Sequence, residues 1–357
     1  MRVISLLPET ETPSIEVDYG NAYEFLLSLC AFTRAGPDVA YDVGPQWFER
    51  AGARASRRLL DEVRDFCQGF PKLWGHLLGL VYTSAGPKSV PAFLTQLQQT
   101  DALELSLHLL GYYLQTHRGP TPLEVVYLAA QGDHEASERL LATSFPEDAT
   151  WRAVLGYLLR MGQKEIKRRL TGVLNGWYEQ VFRHEELAIA PMLETDARAK
   201  REMRQTVPLE QIIQLATNGI EYAPEPGIRK IVLVPTWILR PWNLITEYRD
   251  TKIFCYPVAS YRSGAGASEP PDQLTRLIKA LADETRLQVL RLLGTDSHTL
   301  QELSEHLQLA KSTVHHHLAI LRAAGLLAVV EGEEKRYKLN PHRIAGVSAA
   351  LADYVGK

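Results

Sequence analysis

Cysteine is scarce in this 357-residue chain: there are three, Cys30, Cys67 and Cys255, far apart and without paired spacing. That excludes a disulfide framework and a zinc module built on cysteine pairs, and it suits a reducing compartment. No apolar run approaches the roughly 20 residues needed to span a bilayer. The start, Met1-Arg2-Val3-Ile4-Ser5, runs into Pro8, Glu9 and Glu11 rather than into a signal-peptide core, so a soluble cytoplasmic protein is expected. Strong charge of one sign is also missing, with 39 Lys+Arg against 42 Asp+Glu and a net charge of −3. A uniformly basic nucleic-acid coat is thereby excluded. Absent too are a phosphate-cradling glycine loop, a nucleophile elbow and an HExxH motif; His184-Glu185-Glu186-Leu187-Ala188 has alanine where the second histidine belongs. His76, His108 and His117 stand singly on helical stretches, the usual setting of core or surface histidines. No catalytic residue, cofactor or enzymatic activity is assigned.

The chain is 45% hydrophobic, and at this length it can build two or three domains with a sizeable core. Residues 3–7 and 15–19 alternate apolar and polar between Pro8 and Pro13, as two short strands do. From about residue 21 to 217 the period is helical, cut by glycine and proline into roughly nine or ten helices. Thr121-Pro122-Leu123-Glu124 predicts a capped helix start, and 162–187 a long helix broken or kinked at Pro191. Strands return at 228–234 and 253–257, with 220–222 as a candidate third; pairing of the first and last pieces would close this domain with a small sheet. All six tryptophans lie in this part. An aromatic contribution to the core is the plain reading, and a pocket for an organic effector, sought first at Trp237 and Trp242 in the proline-rich bridge, is the functional one. The basic run Lys164 to Arg169 predicts a solvated helix face, with contact to flanking DNA as the alternative.

Residues 263–271, Ser-Gly-Ala-Gly-Ala-Ser-Glu-Pro-Pro, form a linker. The expected organisation is therefore a mainly helical effector or interaction domain with a small sheet (1–262), the linker, and a DNA-binding domain (272–357). Charge divides in the same sense: residues 270–357 hold 11 Lys+Arg against 10 Asp+Glu, leaving 28 against 32 for the rest. Six of the 11 histidines also fall in this last part.

That part carries the clearest local code. Thr299-Leu300-Gln301-Glu302 is a capping box. Leu300, Leu303 and Leu307 recur at helical spacing, a turn follows at Leu309, and Val314, Leu318 and Leu321 continue the apolar face over a helix at 311–324. Gly325 closes that helix, and 326–331 and 335–339 make a hairpin around Gly332. The pattern is a helix-turn-helix followed by a wing.

These residues resemble the ArsR-type winged helix-turn-helix repressors of bacteria and archaea. The likeness is carried by Ala280-Leu281-Ala282-Asp283-Glu284-Thr285-Arg286, by Ser312-Thr313-Val314-His315-His316-His317-Leu318, and by Ala323-Ala324-Gly325-Leu326-Leu327 with Tyr337-Lys338-Leu339. It covers about a quarter of the chain. Opposite the apolar face stand Lys311, Ser312 and Thr313, placed for phosphate at the helix start, His315 and His316, placed for base edges, and Arg322 near the helix end. His317, three residues after Val314, belongs to the buried side. Lys335 and Arg336 are the wing's candidates for phosphate or the minor groove, and Tyr337 for packing or a phosphate hydrogen bond; Glu331, Glu333 and Glu334 oppose such contact. Ala310 stands at the cap position where a serine or threonine is preferred.

A homodimeric repressor is expected, joined through a helix at 272–294 and a C-terminal helix at 341–355 whose Ile344, Val347, Ala350, Leu351 and Tyr354 form an apolar stripe, so that two recognition helices meet an inverted-repeat operator in double-stranded DNA. Some relatives sense metals. The helix at 299–307 has no cysteine and the last helix offers only His342 and Asp353, so a metal site is not expected. The effector is expected to be a non-metal ligand of the N-terminal domain. The alternative is that this domain serves as a protein-interaction or oligomerisation platform.

Overall fold

A computed structural model describes residues 12–35, 41–115, 120–144, 149–258, 272–330 and 335–356. The expected strand at 3–7, His117, the linker at 263–271, and Gly332 with the wing-tip acids Glu331, Glu333 and Glu334 lie outside the described residues. The protein is mainly α with small sheets, and it ends in a winged helix-turn-helix.

Among the described residues of the N-terminal part are twelve α-helices: α1 (Asn21–Arg34), α2 (Pro45–Arg54), α3 (Arg57–Cys67), α4 (Leu78–Tyr82), α5 (Val90–Gln99), α6 (Ala102–Leu109), α7 (Leu123–Gln131), α8 (His134–Thr143), α9 (Ala149–Met161), α10 (Gln163–Gln180), α11 (Glu186–Met203) and α12 (Leu209–Thr217). Side chains of Ser56, Ser89, Asp101 and Asp133 accept backbone N–H groups at the starts of α3, α5, α6 and α8, satisfying donors that a helix leaves unpaired. The start expected at Thr121 moves by one residue. Pro122 is the cap, and the Thr121 hydroxyl instead meets the Thr143 hydroxyl at 2.8 Å and that of Ser144 at 3.3 Å. The long helix also ends sooner than its pattern predicts. α10 stops at Gln180, a 3-10 turn follows at Phe182–His184, and Pro191 lies inside α11. The carbonyl that Pro191 leaves without its helical donor belongs to Leu187, a residue 91% exposed, where water can serve.

The sheet expected from the first and last pieces is present. Its order is β1-β3-β5-β4, with β1 (Ser14–Val17), β3 (Lys230–Thr236) and β5 (Thr251–Pro257) parallel and β4 (Leu244–Tyr248) an antiparallel edge. β3 and β5 are apolar on both faces, as a covered parallel sheet requires. Val232, Val234, Ile253 and Cys255 face the main helical core, and the alternate residues Ile231, Leu233, Phe254 and Tyr256 pack with Ile212, Ile213 and Ala216 of α12. From α1 the buried Glu24 accepts from the backbone N–H of Trp237 (3.1 Å) and of Ile238 (2.6 Å), which fastens the proline-rich bridge to the core. Burial raises this carboxyl to about 7, against the lowering effect of its hydrogen bonds.

The segment at 220–221 does form a strand, β2 (Ile220–Glu221), but it leaves that sheet. It pairs in parallel with β7 (Leu327–Val330) of the wing, giving the order β2-β7-β8-β6 with β8 (Arg336–Leu339) and β6 (His298–Thr299). Gly219 makes the approach possible: a Cβ there would stand 3.1 Å from the Leu327 carbonyl oxygen and 3.2 Å from the Asn340 amide, at φ +115. No helix among the described residues is long and apolar enough to cross a membrane.

Candidate nucleic-acid interface

The C-terminal part contains α13 (Asp272–Leu281), α14 (Glu284–Leu293), α15 (Leu300–Leu307), α16 (Lys311–Ala323) and α17 (Pro341–Val355). The single helix expected over 272–294 is two, because Asp283 adopts an extended conformation and its carboxylate caps α14 through the Arg286 N–H at 2.9 Å. Arg286 then reaches back to the carbonyls of Ala280 (2.8 Å) and Lys279 (2.9 Å), closing α13. The Arg286 backbone N–H holds the Asp283 carboxyl below the usual carboxylate range.

The capping box forms as its spacing predicts. Glu302 N–H donates to Thr299 Oγ1 at 3.2 Å, and Thr299 N–H donates to Glu302 Oε2 at 2.9 Å. Gln308, in the left-handed region at φ 53, turns the chain after α15, and Ser304 Oγ donates to the Leu309 carbonyl at 2.6 Å. α16 starts at Lys311 with Ala310 as a cap that offers no side-chain acceptor, so its first N–H groups are not occupied by their own cap. Val314, Leu318 and Leu321 are buried and lock α16 onto the domain core. Lys311, Ser312, Thr313, His315 and His316 are exposed on the other side. The geometry thus brings one cation, two hydroxyls and two imidazoles together on one helix face, with helix N–H groups at its start.

His317 turns inward, its Nδ1 3.7 Å from Asp283 Oδ1, and burial lowers its pKa. Tyr337 is only 4% exposed and belongs to the domain core, with Lys335 above its ring at 6.0 Å. Arg336 bonds within the domain, to the Ser297 carbonyl at 2.6 Å and to Glu302 Oε2 at 3.1 Å. Of the three wing residues, Lys335 is the exposed one.

Arg322, half-buried at the end of α16, lines a cavity of about 270 Å³ together with Lys335, Trp242, Arg34, Tyr41 and Lys72. Trp237 does not line it; its ring is half-buried beside the main core, under the Arg240 guanidinium at 5.5 Å. The cavity lies where the N-terminal and C-terminal parts meet. Further contacts there are the β2–β7 pair, Lys338 Nζ to Glu221 Oε2 at 2.5 Å, and an ion pair between Arg276 and Asp42. Sequence reading missed Arg34, Tyr41 and Lys72 because nothing local distinguishes them. The basic run of α10 is engaged within its own part: Lys167 bonds the carbonyls of Gln98 and Thr100, Arg168 pairs with Glu165, and Arg169 with Glu62 and Asp65. No group of three or more His, Cys, Asp or Glu that could hold a metal occurs among the described residues.

The sequence model described as "Bacterial regulatory protein, arsR family" matches residues 283–329, which run from the Asp283 cap to the first wing strand. The HTH-type transcriptional regulator CmtR of Mycobacterium tuberculosis is 39% identical over 83 residues, covering 23% of this chain and 70% of CmtR. The chain belongs to the arsR family. The similarity continues to the Transcriptional activator HlyU of Vibrio cholerae, 45% identical over 51 residues, 14% of this chain and 47% of HlyU. A solved ArsR-like transcriptional regulator from Rhodococcus sp. RHA1 is 28% identical over 24% of this chain and 79% of its own, with a TM-score of 0.22. This arsR-family protein is therefore a transcriptional regulator by its C-terminal quarter; the likeness does not extend over the large N-terminal part.

Proposed function

We propose that the protein is a cytoplasmic repressor that binds an inverted-repeat operator as a homodimer, and that a non-metal ligand held by its N-terminal part controls that binding. The carrying observation is the exposed row Lys311, Ser312, Thr313, His315 and His316, set opposite the buried Val314, Leu318 and Leu321. A helix anchored by one face presents the other to the major groove. Lys311 and the helix start favour phosphate, while His315 and His316 offer ring nitrogens to purine N7 and O6. Lys335 and Arg322 supply cationic contacts beside the helix, with Arg336 and Tyr337 supporting the wing from within.

Support for the dimer comes from apolar side chains left in water. Ile278 on α13, Leu287 on α14, and Leu351, Tyr354 and Val355 on α17 are large and exposed, and a cover by a second copy would remove such apolar surface from water. Support for ligand control comes from the cavity beside Trp242, which also favours a sensor over a bare interaction platform.

The test begins with selection of bound sequences from a random duplex pool by the full chain, followed by binding isotherms and sedimentation. The expected product is a two-fold symmetric site, half-sites about one helical turn apart, bound by a dimer. A reporter placed behind that site is expected to fall when the protein is expressed. Recovery of no preferred sequence, or of a single half-site bound by a monomer, overturns the reading.

A further inference from the structure

The cavity between the two parts of the chain has a chemistry of its own. Four cationic side chains line it from separate segments: Arg34 from the end of α1, Lys72 from the 3-10 helix at Pro71–Leu77, Arg322 from the end of α16 and Lys335 from just before the second wing strand. Lys252 also lines it, 2.5 Å from Glu225 and 3.6 Å from Glu247. Glu247 is the one acidic side chain among the described lining residues. Among the described residues no carboxylate pairs with Arg34 or Lys72. Arg34 and Lys72 thus bring two cations to one partly enclosed site with no described carboxylate on either, an arrangement that an anion relieves.

Tyr41, Leu239 and Trp242 give the lining an apolar, partly aromatic side. Beside Trp242, Asn243 donates its Nδ2–H to the Thr217 carbonyl at 2.8 Å, while its buried Oδ1 has no donor among the described residues. Glu24 and the ion pair between Arg276 and Asp42 fix the bridge and the loop that frame this wall. A pocket with an aromatic side, a cationic rim and a lone amide acceptor selects a flat organic body bearing a carboxylate or phosphate and a hydrogen-bond donor.

We propose that this cavity binds a small aromatic or otherwise flat organic anion, and that the anion and DNA phosphate compete for Arg322 and Lys335. This rests on the reading of the protein as a ligand-controlled DNA-binding regulator, and it supplies the chemical class and place of that ligand. The ligand charge bridges Arg34 and Lys72 on one side to Arg322 and Lys335 on the other. Bound ligand therefore occupies two cations beside the recognition helix, and DNA displaces it or is displaced by it. Linkage makes the effect reciprocal.

The test uses the full chain with inorganic phosphate, salicylate and its neutral counterpart salicylamide, each at matched ionic strength set by chloride. Thermal unfolding is followed without DNA, in the wild type and in the double variant Arg34→Gln, Lys72→Gln. The expected result is a concentration-dependent rise in midpoint with phosphate and a larger one with salicylate, little with salicylamide, and loss of the response in the variant. On duplex recovered by selection, salicylate is expected to weaken wild-type binding by about tenfold, within the usual range of allosteric coupling, and to leave the variant unaffected. Equal response of variant and wild type, no response to either anion, or an equal response to salicylamide overturns the proposal. So does weaker DNA binding by the variant itself, which makes Arg34 and Lys72 contacts to DNA. Failure of the wild type to bind DNA at all defeats the regulator reading instead, and the unfolding measurements still decide the anion site.

Discussion

Arg336 on the second wing strand holds Glu302 in the first helix of the helix-turn-helix, Nη2 to Oε2 3.1 Å, through the same carboxylate that caps that helix at Thr299. One side chain thus sets both the start of α15 and the position of the wing. The Thr299 backbone N–H, with Arg336 beside it, holds the Glu302 carboxyl below the usual range. A depressed acid contributes stability that is present above its unfolded pKa and lost as pH falls through its folded one. Glu302→Ala is expected to lower the unfolding midpoint and to flatten that acid loss. Combined with Arg336→Ala, it is expected to cost less than the two single losses added, because both remove the same contact. A double-mutant cycle by thermal unfolding checks this; strict additivity defeats it.

On the recognition helix, the exposed positions divide by role. His315→Ala or His316→Ala is expected to cost about 1–3 kcal/mol on the preferred site and to relax selection at one base pair. Lys311→Ala is expected to weaken all sequences alike and to reduce the slope of log K against log salt by about one. Repeating the selection with each variant, and titrating salt, separates the two. A histidine variant that loses affinity evenly across sequences assigns that histidine to the backbone.

The helix-turn-helix was legible because its code is local. The capping box spans four residues, the apolar stripe recurs every three or four, and Gly325 at φ 73 ends the last turn. Burial of Val314, Leu318 and Leu321 follows from that stripe alone. Long-range choices were not legible. A two-residue strand such as β2 carries too little pattern to name its partner, and Ile220 pairs with Val329, more than a hundred residues on. β4 was missed because it is a five-residue edge strand just after the proline-rich bridge. Thr121 has the right type and place for a cap, yet two hydroxyls from the end of α8 claim it. The cavity shows the same limit. Trp242 stood out as an aromatic in an unusual setting, whereas Arg34 and Lys72 become neighbours of Arg322 only through the fold.

Gly219 tests whether strand addition joins the two parts. Any side chain there meets the Leu327 carbonyl and Asn340, and its φ of +115 disfavours L residues. Gly219→Val is expected to release β2 from β7 while each part keeps its own core. The measurement is amide exchange at Val329, whose N–H donates to the Gly219 carbonyl at 3.3 Å. Exchange there is expected to rise steeply, with amides in the centre of β3 still protected. Unchanged protection at Val329 shows that the pairing does not depend on this glycine.

Leu351, 43% exposed, and Val355, 59% exposed, lie on α17 one helical turn apart. Leu351→Arg places charge in that apolar surface and is expected to shift the protein from dimer to monomer in sedimentation, with little change in midpoint under dilute conditions where the monomer already dominates. Affinity for a single half-site is expected to persist while that for the two-fold site falls. A variant that remains dimeric moves the interface elsewhere.

Two buried groups set opposed pH limits on stability. Burial lowers His108 to about 4; Glu104 and the His76 carbonyl pull it upward, Arg249 downward. Folded His108 therefore stays neutral where the unfolded residue, near 6.5, takes a proton. Its contribution is complete above pH 6.5 and is lost as pH falls from there to about 4, a change of about 3 kcal/mol. Glu24 behaves in the reverse sense. Raised to about 7 by burial, it keeps its proton in the fold, so its contribution is complete below the unfolded value of about 4.3 and is lost as pH rises to about 7. Between the two unfolded values the slopes oppose, and the wild type is expected to show a shallow profile. His108→Gln is expected to reduce the acid loss and Glu24→Gln to reduce the loss toward neutrality. Midpoints from pH 4 to 8 on both variants decide it: profiles parallel to that of the wild type show that neither group changes its proton affinity on folding.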